Sequence, residues 1–247
     1  QVSLPDSRLP AAARERLAGV LGPDGVDDSR EARIRHAVGR SYADLVRIRA
    51  GDASSAPDAV LRPASAEHVA AVLAACAELR VAVVPFGGGT SVVGGVESVR
   101  GGMDSVVALG LRRLSSIVEV DRTSLTARLD GGLLGPEAEE RLRAEGVTLG
   151  HFPQSFEFST VGGWVATRSA GQASTGFGRI DELVEAVRCV TPAGELASLV
   201  TPASAAGPDL RELVVGSEGV LGVICDATLR VRPAPEARRY EGWSFTS

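Results

Sequence analysis

The chain has 247 residues, of which 26 are basic and 31 are acidic, so its formal net charge is −5. All the basic residues are Arg, and neither Lys nor Asn occurs. These absences exclude a Walker-type phosphate loop and a Schiff-base nucleophile, which both need Lys, and also an N-x-[ST] glycosylation site. The net acidity argues against non-specific binding of nucleic acid, and the preference for Arg, Ala, Gly, Val and Pro is typical of a GC-rich genome.

The remaining totals indicate an ordinary globular protein. Hydrophobic residues make up 44% and no apolar run approaches the roughly 18 residues of a membrane span. No signal peptide is visible at Gln1. Because the chain begins with Gln rather than Met, we expect that the true start of the protein is not shown. The three Cys are far apart in apolar stretches, which predicts buried, reduced thiols and a cytoplasmic location. The three His lack metal-ligand spacing, so no metal site is expected.

The sequence predicts little regular structure for the N-terminal region. Residues 10–21 predict a helix that ends at Gly22-Pro23, and the polar stretch that follows to about residue 57 predicts irregular structure. We therefore interpret residues 1–50 as an N-terminal arm rather than as a domain.

A β-α-β pattern begins near residue 59. Val60-Leu61 predicts a short strand, and Ser65 is a suitable N-cap for a helix. The helix itself is indicated by apolar residues at i, i+3, i+4 and i+7, which are Val69, Val72, Leu73 and Cys76. The apolar run at residues 81–84 predicts a strand that is covered on both faces.

The second half of the chain is predicted to contain more strands than helices. Apolar Leu125, Ala127 and Leu129 alternate with polar residues, which is typical of a strand with one buried face. Strands are predicted at 105–109, 117–120, 125–129, 182–191, 195–199 and 220–231, and helices at 136–145 and 208–215. The whole pattern predicts an α+β fold in which an alternating helix-and-strand half precedes a more antiparallel half.

Four segments are richer in Gly, Ser and Thr than turns require: 85–95, 151–163, 167–171 and 216–222. The first, PFGGGTSVVGG, follows the predicted strand at 81–84, and its consecutive glycines allow backbone N–H groups to close on an anion. Each of the other three fits an ordinary turn when taken alone. Together the four segments predict a ligand surface made mostly of backbone, and with no Lys in the chain an anionic pyrophosphate would be held by amides.

Two other classes of site fit the sequence poorly. A nicotinamide-binding G-x-G-x-x-G turn is disfavoured, because Val92 occupies the last glycine position counted from Gly87. A serine hydrolase is disfavoured because G-x-S-x-G does not occur and no Ser lies beside a suitable His base.

Taken together, PFGGGTSV, QSFEFSTVGGWVATRSAG, GPDL and GSEGVLGVI resemble the FAD-binding domain of the vanillyl-alcohol-oxidase superfamily, also called the PCMH-type domain. Within that superfamily the chain is most similar to the alkyldihydroxyacetonephosphate synthase family. The resemblance implies a PCMH-type FAD-binding domain of two α/β subdomains over residues 51–236. It also implies that residues 237–247 begin a substrate-binding cap domain that the chain lacks and that would carry the catalytic residues.

The resemblance also implies which residues contact FAD. Backbone amides would wrap the pyrophosphate at Phe86, Gly87, Gly88, Gly89, Thr90 and Ser91. The cofactor would be lined by Gln154, Ser155, Phe156, Glu157, Phe158, Ser159, Gly162 and Gly163, with Thr167, Arg168, Ser169 and Ala170 close by. The adenosine end would be held by Glu218, Gly219, Gly222, Val223 and Ile224. Thr90 stands where covalently flavinylated relatives have His, so we expect non-covalent FAD.

The implied activity belongs to ether-lipid synthesis. An adduct at the flavin N5 would allow the acyl group of acyl-dihydroxyacetone phosphate to be exchanged for a fatty alcohol. Two alternatives stay open: FAD-dependent oxidation of a D-2-hydroxy acid such as D-lactate or glycolate, and a flavin-binding module without catalysis. The expected partner is thus a small molecule, either lipid-like or a 2-hydroxy acid, and not nucleic acid. Peripheral membrane contact and a homodimer also stay open.

Overall fold

The structure is a computed structural model that describes residues 2–201, 204–237 and 239–246. Arg238 and Ser247, two residues of the predicted start of a cap domain, lie outside the described residues. The helices are α1 (Ala11–Leu21), α2 (Arg30–Arg35), α3 (Tyr42–Arg49), α4 (Ala66–Glu78), α5 (Gly135–Ala144), α6 (Val161–Thr167), α7 (Ser174–Phe177), α8 (Ile180–Leu183) and α9 (Arg211–Val214). Short 3-10 turns lie at Pro23–Gly25 and Leu111–Arg113.

The strands are β1 (Val26–Asp27), β2 (Ala59–Leu61), β3 (Val81–Phe86), β4 (Ser105–Gly110), β5 (Ile117–Asp121), β6 (Thr126–Asp130), β7 (Val147–Thr148), β8 (Val184–Thr191), β9 (Gly194–Ala197), β10 (Val223–Arg230) and β11 (Arg232–Pro233). They form a four-stranded sheet in the order β1-β2-β4-β3, a five-stranded sheet in the order β5-β6-β10-β8-β9, and the pair β11-β7. This mixture of helix and strand confirms the predicted α+β class.

The first sheet contains the predicted β-α-β unit. Strands β2 and β3 both run parallel to β4, which lies between them, and α4 makes the crossover. The Ser65 hydroxyl accepts a hydrogen bond from the His68 N–H and caps α4, as predicted. The whole predicted apolar face of α4 is buried. Strand β3 corrects one prediction: its central residues are only half-buried because β3 is the edge of the sheet, so no strand covers its outer side.

The second sheet is antiparallel throughout and begins after residue 116. Strand β6 confirms the predicted alternation, since Ala127 and Leu129 are buried while Thr126 and Arg128 are partly exposed. Strand β10 is buried along nearly its full length because β6 and β8 flank it on either side. The two sheets share packing, because Val190 and Cys225 of the second sheet belong to the same buried cluster as Leu61 and Leu109 of the first.

The N-terminal residues are more ordered than the sequence predicts. The stretch predicted as irregular contains β1, α2 and α3, and β1 pairs antiparallel with β2. Leu17 and Val26 join the core of the first sheet. Arg33 is buried and donates hydrogen bonds to the carbonyls of Pro57 (2.8 Å) and Pro5 (2.7 Å). These contacts are long-range in sequence, so local periodicity does not reveal them. The boundary of an arm at residue 50 stays a prediction.

Two helices differ from the prediction. The helix expected at residues 208–215 is reduced to α9, because the Asp209 carboxylate accepts a hydrogen bond from the Arg211 N–H and forms a local turn in place of the first helical turn. Helix α6 has no counterpart among the predicted helices, and its first residues fall in the glycine-rich segment 151–163. Its Thr160 cap and the apolar residues Val161, Trp164 and Val165, spaced i, i+3, i+4, are a helical signal that the glycines obscured.

The three cysteines are buried and unpaired, as expected. Burial raises the pKa of Cys76 and Cys225 to about 12 and that of Cys189 to about 11, so these thiols stay protonated near neutral pH. No helix among the described residues is both long enough and apolar enough to cross a bilayer. The described residues also contain no cluster of three or more His, Cys, Asp or Glu that could hold a metal ion.

Candidate functional site

A cavity of about 470 Å³ opens where loops from both sheets meet. One wall is the segment that follows β3, and a second is the segment around α6 that follows β7. The third is the turn that leads into β10. Three of the four glycine-rich segments predicted from the sequence thus supply its walls, and the fourth, 167–171, adds Thr167, Ser169 and Ala170. The cavity thus joins residues as far apart in the chain as Pro85 and Ile224.

The glycine loop, defined here as Gly87–Ser91, is fitted against the segment that precedes α6. A Cβ atom added to Gly88 would lie 1.8 Å from the carbonyl oxygen of Phe158 and 2.9 Å from the Cα of Ser159. Both distances are too short for a real Cβ atom, so only glycine fits this position without a shift of the backbone. Gly89 has a φ of +67°, in the left-handed region that favours glycine. The glycines therefore permit both the turn and the contact between two walls of the cavity.

Unused hydrogen-bond donors lie along this loop. The backbone N–H groups of Gly88, Gly89, Thr90 and Ser91 donate to no acceptor among the described residues. All four residues line the cavity. A run of amides without a protein acceptor is the arrangement that binds a phosphate or pyrophosphate group.

The wall around α6 is held by buried polar side chains. The Trp164 indole N–H donates to the Ser159 hydroxyl (2.7 Å), which in turn donates to the Ser155 carbonyl (2.9 Å). The Thr160 hydroxyl accepts from the Gly163 N–H and caps α6. Trp164 is almost fully buried, so its ring and these hydrogen bonds fix the positions of Ser155 and Ser159 on the cavity surface.

His151 supports the same wall from behind. Its ring packs edge-on against Trp164, with ring centroids 5.1 Å apart, and its Nε2 lies 2.7 Å from the Ser169 hydroxyl oxygen. Its Nδ1 is buried and has no hydrogen-bond partner among the described residues. Burial lowers the pKa of His151 to about 4, so the imidazole is neutral near pH 7. An Nε2–H that donates to Ser169 leaves the Ser169 hydroxyl proton free for the cavity.

Charge is nearly absent from the cavity. Glu218 is the one ionisable side chain among the described residues that line it. Arg168, predicted to lie close to the cofactor, caps the C-terminus of α6 with a φ of +49°, and its guanidinium pairs with Asp181 (3.2 Å) and Glu212 (2.5 Å). The Arg168 side chain is therefore neutralised by carboxylates and does not line the cavity.

The structure brings most of the predicted FAD-contacting residues to this cavity. Those that line it are Gly87, Gly88, Gly89, Thr90, Ser91, Gln154, Ser155, Ser159, Gly162, Gly163, Thr167, Ser169, Ala170, Glu218, Gly219, Gly222 and Ile224. Their contact with FAD itself stays a prediction.

Other predicted residues point elsewhere. The Phe86 ring is buried against His36, 4.4 Å between centroids, and Val223 is buried in the core. Phe156 packs between Phe152 and Trp164, and Glu157 and Phe158 are exposed. The Phe158 carbonyl still matters to the site, because it is the group that Gly88 approaches.

Several lining residues were not among the predicted FAD contacts. Six of them still lie within the predicted glycine-rich segments: Pro85, Val92, Val93, Gly95, Pro153 and Thr160. Sequence reasoning missed the other four entirely, which are Val96, Leu111, Trp164 and Ala166. The helical spacing within α6 could have identified Thr160 and Trp164. Leu111 is different, because it lies in a 3-10 turn after β4 and reaches the cavity only through the arrangement of the sheets. No local signal marks it.

Comparison with known proteins agrees with this geometry. A family model described as a FAD binding domain matches residues 57–199. Alkyldihydroxyacetonephosphate synthase of Dictyostelium discoideum is 39% identical over 241 residues, which cover 98% of this chain and 39% of that protein. Glycolate oxidase subunit GlcD of Bacillus subtilis is 30% identical over 228 residues, which cover 92% of this chain and 46% of that subunit.

Solved structures of alkyldihydroxyacetonephosphate synthase have a similar fold. A structure of alkyldihydroxyacetonephosphate synthase superimposes with a TM-score of 0.89 at 36% sequence identity, covering 96% of this chain and 44% of that chain. The chain thus spans about two fifths of the length of the alkyldihydroxyacetonephosphate synthases that it matches.

Proposed function

This chain belongs to the family of FAD binding domains, and from that premise we propose that its cavity holds FAD without a covalent bond. The single observation that supports this best is the run of four unused amides on the glycine loop, in a cavity without a cation. These amides would hold the pyrophosphate, and the Gln154 and Ser169 side chains would contact the remainder of the cofactor. Bound FAD supplies redox and electrophilic chemistry that the amino acids of this chain lack.

The non-covalent mode follows from the chemistry of the walls. The described residues that line the cavity include no His, Cys or Tyr, so they offer none of the usual side chains for a covalent link to flavin. Thr90 occupies the position at which, by the sequence resemblance, relatives with covalently bound FAD carry a His. The cytoplasmic location inferred from composition stays a prediction beside this proposal.

Flavin release tests the proposal. Purified protein should be yellow, and heat or acid denaturation should leave the flavin in the supernatant, where its fluorescence identifies it as FAD. Flavin that precipitates with the protein would contradict the non-covalent mode. A colourless protein that also fails to bind added FAD would contradict the proposal as a whole.

We propose that the whole protein exchanges the acyl group of acyl-dihydroxyacetone phosphate for a fatty alcohol, with no net oxidation. This proposal is supported by identities of 38–39% to two alkyldihydroxyacetonephosphate synthases over at least 94% of this chain. The role of this part of the protein would be to bind and orient FAD and to exclude water from one side of it. The substrate would thus be a lipid-like small molecule.

Oxidation of a D-2-hydroxy acid is the second candidate. It is supported by the glycolate oxidase subunit and by a D-lactate dehydrogenase of Anaerostipes hadrus that is 33% identical over 183 residues. The two reactions differ in their electron balance. Dye reduction by D-lactate or glycolate would favour the oxidase, and alcohol-for-acid exchange without dye reduction would favour the synthase. If the complete protein showed neither activity, a flavin-binding module without catalysis would be the remaining interpretation.

A further inference from the structure

Arg40 is a cationic side chain next to the glycine loop that no described carboxylate neutralises. It is exposed, and neither Glu218 of the cavity nor any other acid among the described residues forms an ion pair with it. Its one side-chain hydrogen bond to the described residues is a long one, 3.4 Å from Nη1 to the Gly39 carbonyl oxygen. This contact keeps the guanidinium beside the short segment that joins α2 to α3.

That segment packs against the end of the glycine loop. The Arg40 backbone N–H donates to the Ser91 carbonyl (2.7 Å). A Cβ atom added to Gly39 would lie 2.3 Å from the same carbonyl oxygen, so this close approach requires glycine. Ser91 lines the cavity, and the exposed residues Val92 and Val93 continue the lining at its mouth. Arg40 therefore lies directly behind a residue of the cavity mouth, although it does not line the cavity itself.

Two further interactions fix the chain after Arg40. Ser41 and Asp44 form a capping box at the start of α3, in which the Ser41 hydroxyl accepts from the Asp44 N–H and the Asp44 carboxylate accepts from the Ser41 N–H, both at 3.1 Å. The Arg47 guanidinium pairs with the Glu97 carboxylate (2.7 Å), which joins α3 to the chain beyond the glycine loop. The backbone thus holds Arg40 in place, while its guanidinium stays available to a ligand.

The position of Arg40 suits an anion on the substrate rather than one on the cofactor. The unused amides of the glycine loop belong to residues that line the cavity and would hold the pyrophosphate, whereas Arg40 is not among the lining residues. An anion that Arg40 binds must therefore approach from the open mouth. Both candidate substrates carry one, a phosphate monoester in acyl-dihydroxyacetone phosphate and a carboxylate in a D-2-hydroxy acid. A guanidinium forms paired hydrogen bonds with either group.

We propose that Arg40 binds the anionic group of the substrate at the mouth of the cavity. This inference rests on the proposed function and adds to it a residue that selects for an anionic substrate. Arg40 would hold the charged end of the substrate at the mouth, so that the uncharged reacting end points inward. A substrate without an anionic group would leave the guanidinium without a partner and would bind more weakly.

The test compares KM for acyl-dihydroxyacetone phosphate between the complete, FAD-loaded wild type and its Arg40 variants. Arg40→Gln should raise KM by about 10- to 100-fold, the loss typical of hydrogen bonds between charged groups. Arg40→Lys keeps the charge but not the paired donors, so its KM should lie between the two. FAD affinity, measured by titration of the flavin-free protein, should not change. The control Arg49→Gln removes the same charge from the exposed last residue of α3 and should leave KM unchanged.

Two further substrates identify the anion. Acyl-dihydroxyacetone, which lacks the phosphate, should have the same KM with the wild type and with Arg40→Gln, because it offers the guanidinium no anion. D-lactate, followed by dye reduction, tests a carboxylate in the same way. A rise in KM confined to acyl-dihydroxyacetone phosphate would identify the anion as a phosphate, and a rise confined to D-lactate would identify it as a carboxylate. Either result supports the proposal.

The proposal would be overturned if a folded Arg40→Gln variant kept the wild-type KM for every substrate that is turned over. Equal losses with and without the phosphate would overturn it too, because the effect would then be structural. Weaker FAD binding by Arg40→Gln would assign Arg40 to the cofactor and also overturn it. A complete protein that turns over neither class of substrate would contradict the proposed function, and this inference with it. Thermal unfolding checks that each variant is folded.

Discussion

The glycine loop and the wall around α6 meet at the cavity, but different interactions hold them. The glycine loop depends on missing side chains, because its backbone lies where a Cβ would overlap the carbonyl of Phe158. The wall around α6 depends on large side chains, because Trp164 and His151 are buried and are hydrogen-bonded to Ser159 and Ser169. We therefore expect added side-chain volume to disturb the glycine loop. We expect the loss of a hydrogen-bond partner, or a fall in pH, to destabilise the wall around α6.

The largest effect is expected from added volume in the glycine loop. Gly88→Ala would place a Cβ 1.8 Å from the Phe158 carbonyl oxygen, so one wall must shift. We expect a loss of about 1–3 kcal/mol in the free energy of unfolding and, through displaced amides, up to about 100-fold weaker FAD binding. Urea unfolding and FAD titration measure the two effects.

Gly102→Ala is the matched control, because its added Cβ would meet nothing within 4 Å. It should leave both measurements unchanged. If Gly88→Ala behaved in the same way, the close contact between the two walls would not be needed for binding.

The wall around α6 should respond to acid through His151. Its pKa in the folded protein is about 4, below the ordinary value of 6.5, so the folded state binds this proton more weakly than the unfolded chain. Its contribution to stability is complete above pH 6.5 and is lost as the pH falls toward 4, by up to about 3 kcal/mol. Urea unfolding at both ends of this range should show a larger loss for the wild type than for His151→Gln.

His68→Gln changes a His that is only half-buried and serves as the control. The same acid loss in His151→Gln as in the wild type would show that other groups cause it.

Loss of one hydrogen-bond partner in the same wall should affect stability by no more than these changes. Ser159→Ala leaves the buried Trp164 indole N–H without an acceptor, and we expect unfolding to become easier by about 1–3 kcal/mol. Ser115→Ala, at a half-buried position outside the cavity, is the control for removal of a hydroxyl. Equal stability of the two variants in urea would mean that a water molecule replaces the Ser159 hydroxyl.

The smallest effect is expected at Arg168. Its guanidinium is partly exposed and paired with Asp181 and Glu212, so Arg168→Met should cost less than about 1 kcal/mol. FAD affinity should change by less than about threefold if the side chain stays outside the cavity. A larger loss of FAD affinity would show that Arg168 turns toward the cofactor when FAD binds.

Sequence patterns alone determined the α+β class, the capped helix α4 and the alternation in β6, because these depend on neighbours a few residues apart. They also indicated the glycine loop, since three consecutive glycines have few other physical explanations. The motif resemblance added the FAD-binding family, which the comparisons confirm.

Tertiary structure decided what depends on distant residues. It placed β3 at a sheet edge, joined β1 to β2, and paired Arg168 with carboxylates 13 and 44 residues away. It also left Glu218 as the one ionisable side chain among the described residues of an otherwise uncharged cavity. The absence of Lys, visible from the sequence, thus has a structural counterpart: the cavity offers amides to an anion, and no Arg among the described residues lines it. Local periodicity cannot report such pairings, because charge compensation is set by proximity in space and not by spacing along the chain.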